Sequence, residues 1–256
     1  MATHIPDPQL LERPIRILVV GCGGNGSAIV SGLPYLHQAL LAFGHPGGLA
    51  VTLVDPDIVG ETNCVRQPFC RTDIGFPKAI VLAHRMNIFW GLNWQGMQAT
   101  IQQFKKGSEV DFLIGCVDTR KARRAIDKWV LNSRVLYWLD LGNSACSGQF
   151  VLGQPSNSVN RKRKQRLATV AELYPEILKT DKKDDNLPSC SAAEALTRQE
   201  PFINQNLAYQ ALGMLTQLLR HGSLSYQGGF CNLATGQLAP IPITHVAFTS
   251  RSRRRS

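Results

Sequence analysis

Apolar and polar positions fall into alternating blocks along the first 150 residues. Residues 15–20, Ile-Arg-Ile-Leu-Val-Val, form a short β-rich run with the composition of a buried strand. A helical period follows to about residue 43, with Ile29, Leu33, Leu36, Leu40 and Leu41 on one face, and Gly47-Gly48 breaks it. Residues 49–54 read as a second strand ending in Asp55. Pro77 suits the start of another helix, in which Ile80, Val81, Ala83, His84, Ile88 and Trp90 are spaced helically. The pattern further predicts strands at 97–103 and 111–117, a helix over about 119–131, and strands at 136–141 and 147–153.

Strands alternating with helices imply βαβ units. The expected fold is therefore α/β: a doubly wound, Rossmann-like, mostly parallel sheet with right-handed crossovers. Residues 155–189 break the pattern, being polar and rich in Lys, Arg and Asp. They read as a mobile basic insertion, with a short helix around 167–178. A helix at about 203–220 aligns Leu207, Ala211, Leu215 and Leu218, with Gly222 placed to end it. A hairpin at 225–243, turning near Thr235-Gly236, adds a C-terminal antiparallel extension. One domain is expected over 1–248, and 249–256 reads as a disordered basic tail.

Charge changes the picture less than its total suggests. The net charge is +10, yet Arg161, Lys162, Arg163, Lys164 and Arg166 supply five positive charges and Arg251, Arg253, Arg254 and Arg255 four more. Any nucleic-acid or acidic-partner binding is thus expected through that insertion and the tail, in a salt-dependent way. No apolar run is long enough to span a bilayer, and no secretory signal is visible, which predicts a cytoplasmic protein. The seven cysteines are scattered with no Cys-x-x-Cys pair, so neither a disulfide framework nor structural zinc is expected.

Two segments carry candidate chemistry. Gly21, Gly23 and Gly26 spell G-x-G-x-x-G directly between a strand and a helix, with Gly24 inside the loop. Glycine lets backbone approach a phosphate, and the helix N-terminus supplies N–H groups and positive potential. A tight strand–helix turn would need the same glycines. Asp55, ending the second strand, stands where dinucleotide folds hydrogen-bond a ribose. The second segment runs Asp55-Pro56-Asp57-Ile58-Val59, then Asn63, Arg66 and Gln67, then Gly75, Pro77 and Lys78. An asparagine, a guanidinium and an ammonium together suit phosphoryl oxygens. A hydride-transfer enzyme needs no such set.

This order of residues resembles the ThiF/MoeB/HesA family, whose eukaryotic members are the ubiquitin-activating enzymes. The family pattern D-x-D-x-V, N-x-x-R-Q, G-x-P-K is matched at Asp55, Asp57, Val59, Asn63, Arg66, Gln67, Gly75, Pro77 and Lys78. It continues at Cys116-Val117-Asp118 with Arg123, at Ser147-Gly148-Gln149 and at Pro188-Ser189-Cys190. More narrowly, the short N-terminus, the basic insertion and the segment from Pro188 to Leu196 resemble the ThiF-type proteins of the PRTRC plasmid-associated system.

The resemblance implies adenylation by ATP of the C-terminal carboxylate of a ubiquitin-like or sulfur-carrier protein, followed in some members by a thioester. It implies that Asp118 holds magnesium with ATP, that Arg66 and Lys78 neutralise the leaving pyrophosphate, that Asn63 orients a phosphate and that Asp55 holds the ribose. Asp57, Gln67 and Arg123 join the nucleotide site by the same resemblance. A homodimer and a conjugating enzyme are further implied partners. Cys190 matches the cysteine that accepts the acyl group, and a helical pattern after it would lower its pKa.

Each residue has a structural alternative. Asp57 could cap a turn, Asp118 could cap the following helix, Arg123 could pair with a surface acid and Cys190 could be an ordinary loop cysteine. Lys78 could be a surface lysine, although a cation is disfavoured at a helix N-terminus. Two features depart from the family. The paired cysteines that bind zinc in many bacterial relatives are missing. Only 14 residues precede the first strand, where the family carries an arginine that reaches a partner subunit, and Arg13 does not align with it. Rival functions are a nicotinamide or flavin oxidoreductase, which leaves Asn63, Arg66, Lys78 and Asp118 unexplained, and a nucleotide-binding scaffold without turnover.

Overall fold

A computed structural model describes residues 2–105, 108–180 and 200–247. Strand β1 (Ile15–Val20) leads through helix α1 (Gly24–Ala42) to β2 (Leu49–Asp55). A short helix α2 (Asn63–Arg66) and α3 (Lys78–Trp90) precede β3 (Gln95–Gln98). The chain then returns to β4 (Phe112–Gly115), α4 (Arg120–Leu131), β5 (Tyr137–Asn143) and β6 (Ser147–Gly153). Next come β7 (Gln165–Leu167), α5 (Val170–Leu173), α6 (Ile203–His221), and strands β8 (Tyr226–Asn232), β9 (Gln237–Pro242) and β10 (His245–Ala247).

The main sheet has the order β3-β2-β1-β4-β5-β6-β8-β9, and β10 pairs β7 in a second, two-stranded sheet. Strands β3 to β5 are parallel, whereas β6, β8 and β9 run antiparallel. This is the doubly wound sheet with an antiparallel extension that the pattern predicts. Its order reverses between β1 and β4, and in such sheets the crevice for a ligand opens beyond the strand ends at that point. Val20 stands level with both Val54 and Gly115, so three strands end together there.

Alternating residues of β1 feed two cores. Ile15, Ile17 and Val19 pack with α1, α3 and α6, while Leu18 and Val20 pack with Ile126, Trp129 and Val130 of α4. Gly96 lets α3 lie directly on the sheet, since a Cβ there would come 2.4 Å from the Ala79 carbonyl oxygen.

Several boundaries differ from expectation. β3 stops at Gln98, because Thr100 turns the chain by donating its N–H to the Gln103 side chain at 2.8 Å. α3 exists, but it buries Lys78, Ala79, Leu82, Ala83 and Met86, leaving Ile80, Ile88 and Phe89 exposed. Of the basic segment, residues 155–180 are described and join the fold. Buried Arg166 grips Glu172, and Arg163 pairs with Asp7. Residues 167–178 form two short helical pieces rather than one helix, because Pro175 cannot donate to a continuing helix. Cys190 and the tail 249–256 lie outside the described residues.

Candidate active site

Backbone geometry makes the first bank of the crevice. Gly21 takes φ 91°, and a Cβ there would meet the Cys116 carbonyl oxygen at 2.8 Å. Gly26 is tighter still, with a Cβ falling 1.8 Å from the Gly21 carbonyl oxygen. A Cβ on Gly24 would meet the Asn204 side chain of α6, whereas one on Gly23 meets nothing within 4 Å. Gly23 therefore faces open space at the start of α1, and no side chain caps that helix. Its first N–H groups are left for an anion.

Asp55 lies beneath this loop and is almost fully buried. Its two carboxylate oxygens accept N–H groups from Cys22 and from Asp57, the latter at 2.8 Å. Burial pushes the Asp55 carboxyl above its usual range, and those hydrogen bonds with the nearby Lys78 charge pull it back. Asp55 thus fastens the glycine loop to the end of β2. Burial also drives the Cys22 thiol well up, as it does Cys116, so both are inert small residues rather than nucleophiles.

Side chains make the second bank. Lys78, only 7% exposed, opens α3 and sends Nζ to Asp57 Oδ2 at 3.1 Å. The Lys78 N–H donates to the Asp57 carbonyl oxygen, also at 3.1 Å. Asp57 is therefore the lysine's counter-ion as well as a turn residue. Asn63 Oδ1 accepts the Gly60 N–H at 2.8 Å at the start of α2, and half-buried Arg66 and Gln67 end that helix. The Gln67 Oε1 is buried with no hydrogen-bond partner among the described residues.

At the end of β4, Asp118 is exposed. Thr119, not Asp118, caps α4, accepting the Ala122 N–H at 3.2 Å. Asp118 thus keeps its carboxylate for solvent or a ligand. Arg123 points elsewhere: it is 8% exposed and donates Nε to Asp140 Oδ1 at 3.0 Å. The acid it meets is buried, where the sequence offered a surface one. Arg13 is likewise engaged within the chain, in a two-pronged pair with Asp111 at 2.7 Å.

The structure thus joins Gly21, Gly23, Gly24, Gly26, Asp55, Asp57 and Lys78 around the ends of β1 and β2, with Asp118 on the adjoining β4 loop. Sequence reasoning missed Asn25 and Asp140. Asn25, inside the glycine loop, donates to Asn143 Oδ1 at 2.9 Å. Asp140 announced itself as the lone acid in an apolar strand, a place where charges occur only when paired.

Among solved structures, PaaA matches 91% of this chain and 65% of its own, at 12% identity and a TM-score of 0.59. E. coli MccB matches 94% of this chain and 67% of its own, at 15% identity and a TM-score of 0.60. MccB has been crystallised with ATP and with MccA. These likenesses are to the fold, and the chain spans only 65% of the PaaA length. No curated protein matches the sequence. A family model does, over residues 7–247. Its span takes in the glycine loop, the β2–α3 crossover and the Asp118 loop in the order seen here, and the chain belongs to the ThiF family.

Proposed function

We propose that the protein uses ATP to adenylate a C-terminal carboxylate on a small protein or peptide, of the ubiquitin-like or sulfur-carrier kind. The carrying observation is the convergence of an uncapped α1 N-terminus, buried Lys78 and exposed, non-capping Asp118, on the loop against which Gly21 rests, around one crevice in a ThiF chain. The oxidoreductase reading leaves the set of Asn63, Arg66, Lys78 and Asp118 unexplained.

The carboxylate oxygen attacks the α-phosphorus, the new O–P bond forms, and the bond to the β-phosphate breaks to release pyrophosphate. The glycine loop seats the phosphates and Asp55 holds that loop at the ribose end. Lys78, with Arg66, neutralises the departing charge, and Asn63 orients a phosphate. Asp118 is the residue that would hold magnesium. An exposed single carboxylate fits that ion, which takes one or two carboxylates plus substrate phosphates. Bound with ATP, magnesium supplies charge neutralisation.

Cys190 is the proposed acceptor of the activated acyl group, with a conjugating enzyme after it. The exposed Phe89, Ile88 and Tyr35 favour association as a homodimer. A cytoplasmic site of action is part of the same proposal; among the described residues no helix is long and apolar enough to cross a membrane.

Carrier-dependent ATP–pyrophosphate exchange tests the reading. Wild type should exchange label. Lys78→Ala should lose exchange by orders of magnitude while keeping its fold. Cys190→Ala should exchange normally yet form no thiol-sensitive carrier adduct, since adenylation precedes thiol attack. Binding of NADH without binding of ATP would overturn the reading.

A further inference from the structure

Asp140 is fully buried on β5, opposite Gly115 of β4. A Cβ on Gly115 would lie 3.4 Å from Asp140 Oδ1, and one on Gly142 would lie 3.2 Å from Arg123 Nη2. Two glycines therefore clear the space that this charged pair fills. Such a pair is a poor source of stability, because desolvating both charges offsets most of their attraction. What distinguishes this one is its further reach. Arg123 Nη2 also donates to the Val117 carbonyl oxygen at 3.1 Å and to that of Leu141 at 3.5 Å. Val117 directly precedes Asp118, and the Cys116 carbonyl before it is the atom against which Gly21 rests. The same short loop thus touches the glycine loop on one side and the buried pair on the other.

We propose that Asp140, acting through Arg123, is a positioning residue: it fixes the 116–118 loop against the glycine loop and so sets where the Asp118 carboxylate stands in the crevice. Arg123 is then a support beneath the site rather than a nucleotide contact. Asp140 aims the guanidinium, and the planar fork of Arg123 bridges strand β5 to the loop carbonyl in a way a point-charge ammonium cannot. The inference rests on the adenylation reading of the crevice.

The test replaces the pair with apolar residues of similar volume, Arg123→Met with Asp140→Leu. Buried ion pairs exchanged in this way commonly keep or gain stability. The double variant should therefore melt near wild type. Its pyrophosphate exchange should still fall ~10-fold or more, the usual cost of losing an outer-shell support. Calorimetric ATP titrations, run without turnover, supply a second readout. The magnesium concentration needed for tight ATP binding should rise ~10-fold, while affinity for ATP without magnesium stays unchanged. Arg123→Lys, which keeps the charge beside Asp140 but loses the fork, should show the same magnesium shift and covers the case of a misfolded double variant. A folded double variant with wild-type exchange and magnesium response overturns the positioning role alone. Wild-type protein that neither binds ATP nor exchanges label overturns the crevice reading, and this inference with it.

Discussion

On the β1 side of the crevice the ligand-facing surface is backbone. Gly21 and Gly26 press against carbonyl groups, Gly23 opens outward, and Asp55 is occupied in holding the loop. On the β2–α3 side it is side chains. Lys78 is buried but its counter-ion Asp57 has a side chain 64% exposed, and Arg66 sits half-buried on a single helical turn. A backbone cradle has one shape and tolerates almost no change. A side-chain bank can lose one group and keep its fold. On the proposed adenylation reading, binding the nucleotide belongs chiefly to the first bank and lowering the barrier to the second.

The most severe way to break that contrast is Gly26→Ala. Its Cβ would lie 1.8 Å from the Gly21 carbonyl oxygen, so loop or helix must move. Overpacking of this kind costs about 3 kcal/mol. Thermal melting should show that loss, and ATP titration should show no binding. Gly23→Ala, with nothing within 4 Å, should melt like wild type and weaken only ATP binding. Equal melting of the two variants would mean that the cradle is not rigid.

The two banks were unequally legible in the sequence. The glycine loop could be read because its spacing encodes backbone conformation. On the second bank the residue types were visible but their partners were not, since Asp57 and Lys78 meet across 21 positions. Helix α3 shows the same limit. Of its expected positions Ala83 is buried and Val81 and Trp90 are partly buried against the core, whereas Ile80, His84 and Ile88 are exposed, because the helix lies on the sheet with the Ala79 backbone directly over Gly96. Hydropathy marks large residues, whereas the close approach at Gly96 is made at the small Ala79. Asp140 was visible as an oddity, but only the fold pairs it with Arg123, 17 residues earlier.

A perturbation far from both banks separates stability from site geometry. His4 hydrogen-bonds Tyr137 Oη at 2.9 Å, at the strand end opposite the crevice. Burial, with the positive charges of His245 and Arg163, lowers its pKa from 6.5 to about 4. The unfolded chain therefore takes up the proton first as pH falls. The contribution of neutral His4 is complete above about pH 6.5 and is lost progressively toward pH 4, by at most about 3 kcal/mol. Chemical denaturation across that window should show a slope that His4→Gln flattens, with exchange at neutral pH unchanged. A variant that keeps the full acid slope would place the titration elsewhere.

The smallest expected effect on stability concerns Thr119 and Asp118, neighbours with separable duties. Thr119 accepts the Ala122 N–H and caps α4, so Thr119→Ala should cost ~1 kcal/mol of stability. Exchange should change little, because Arg123 still anchors the Val117 carbonyl. Asp118→Ala should do the reverse. The residue is exposed and caps nothing, so melting should not move, while magnesium-dependent exchange falls steeply. The crossed pattern needs both measurements on both variants. If Asp118→Ala destabilised the fold as Thr119→Ala does, its carboxylate would be part of the helix terminus. The β4 loop would then be a second backbone-type wall, and the functional acid would have to be sought on the β2–α3 bank, where Asp57 already stands beside Lys78.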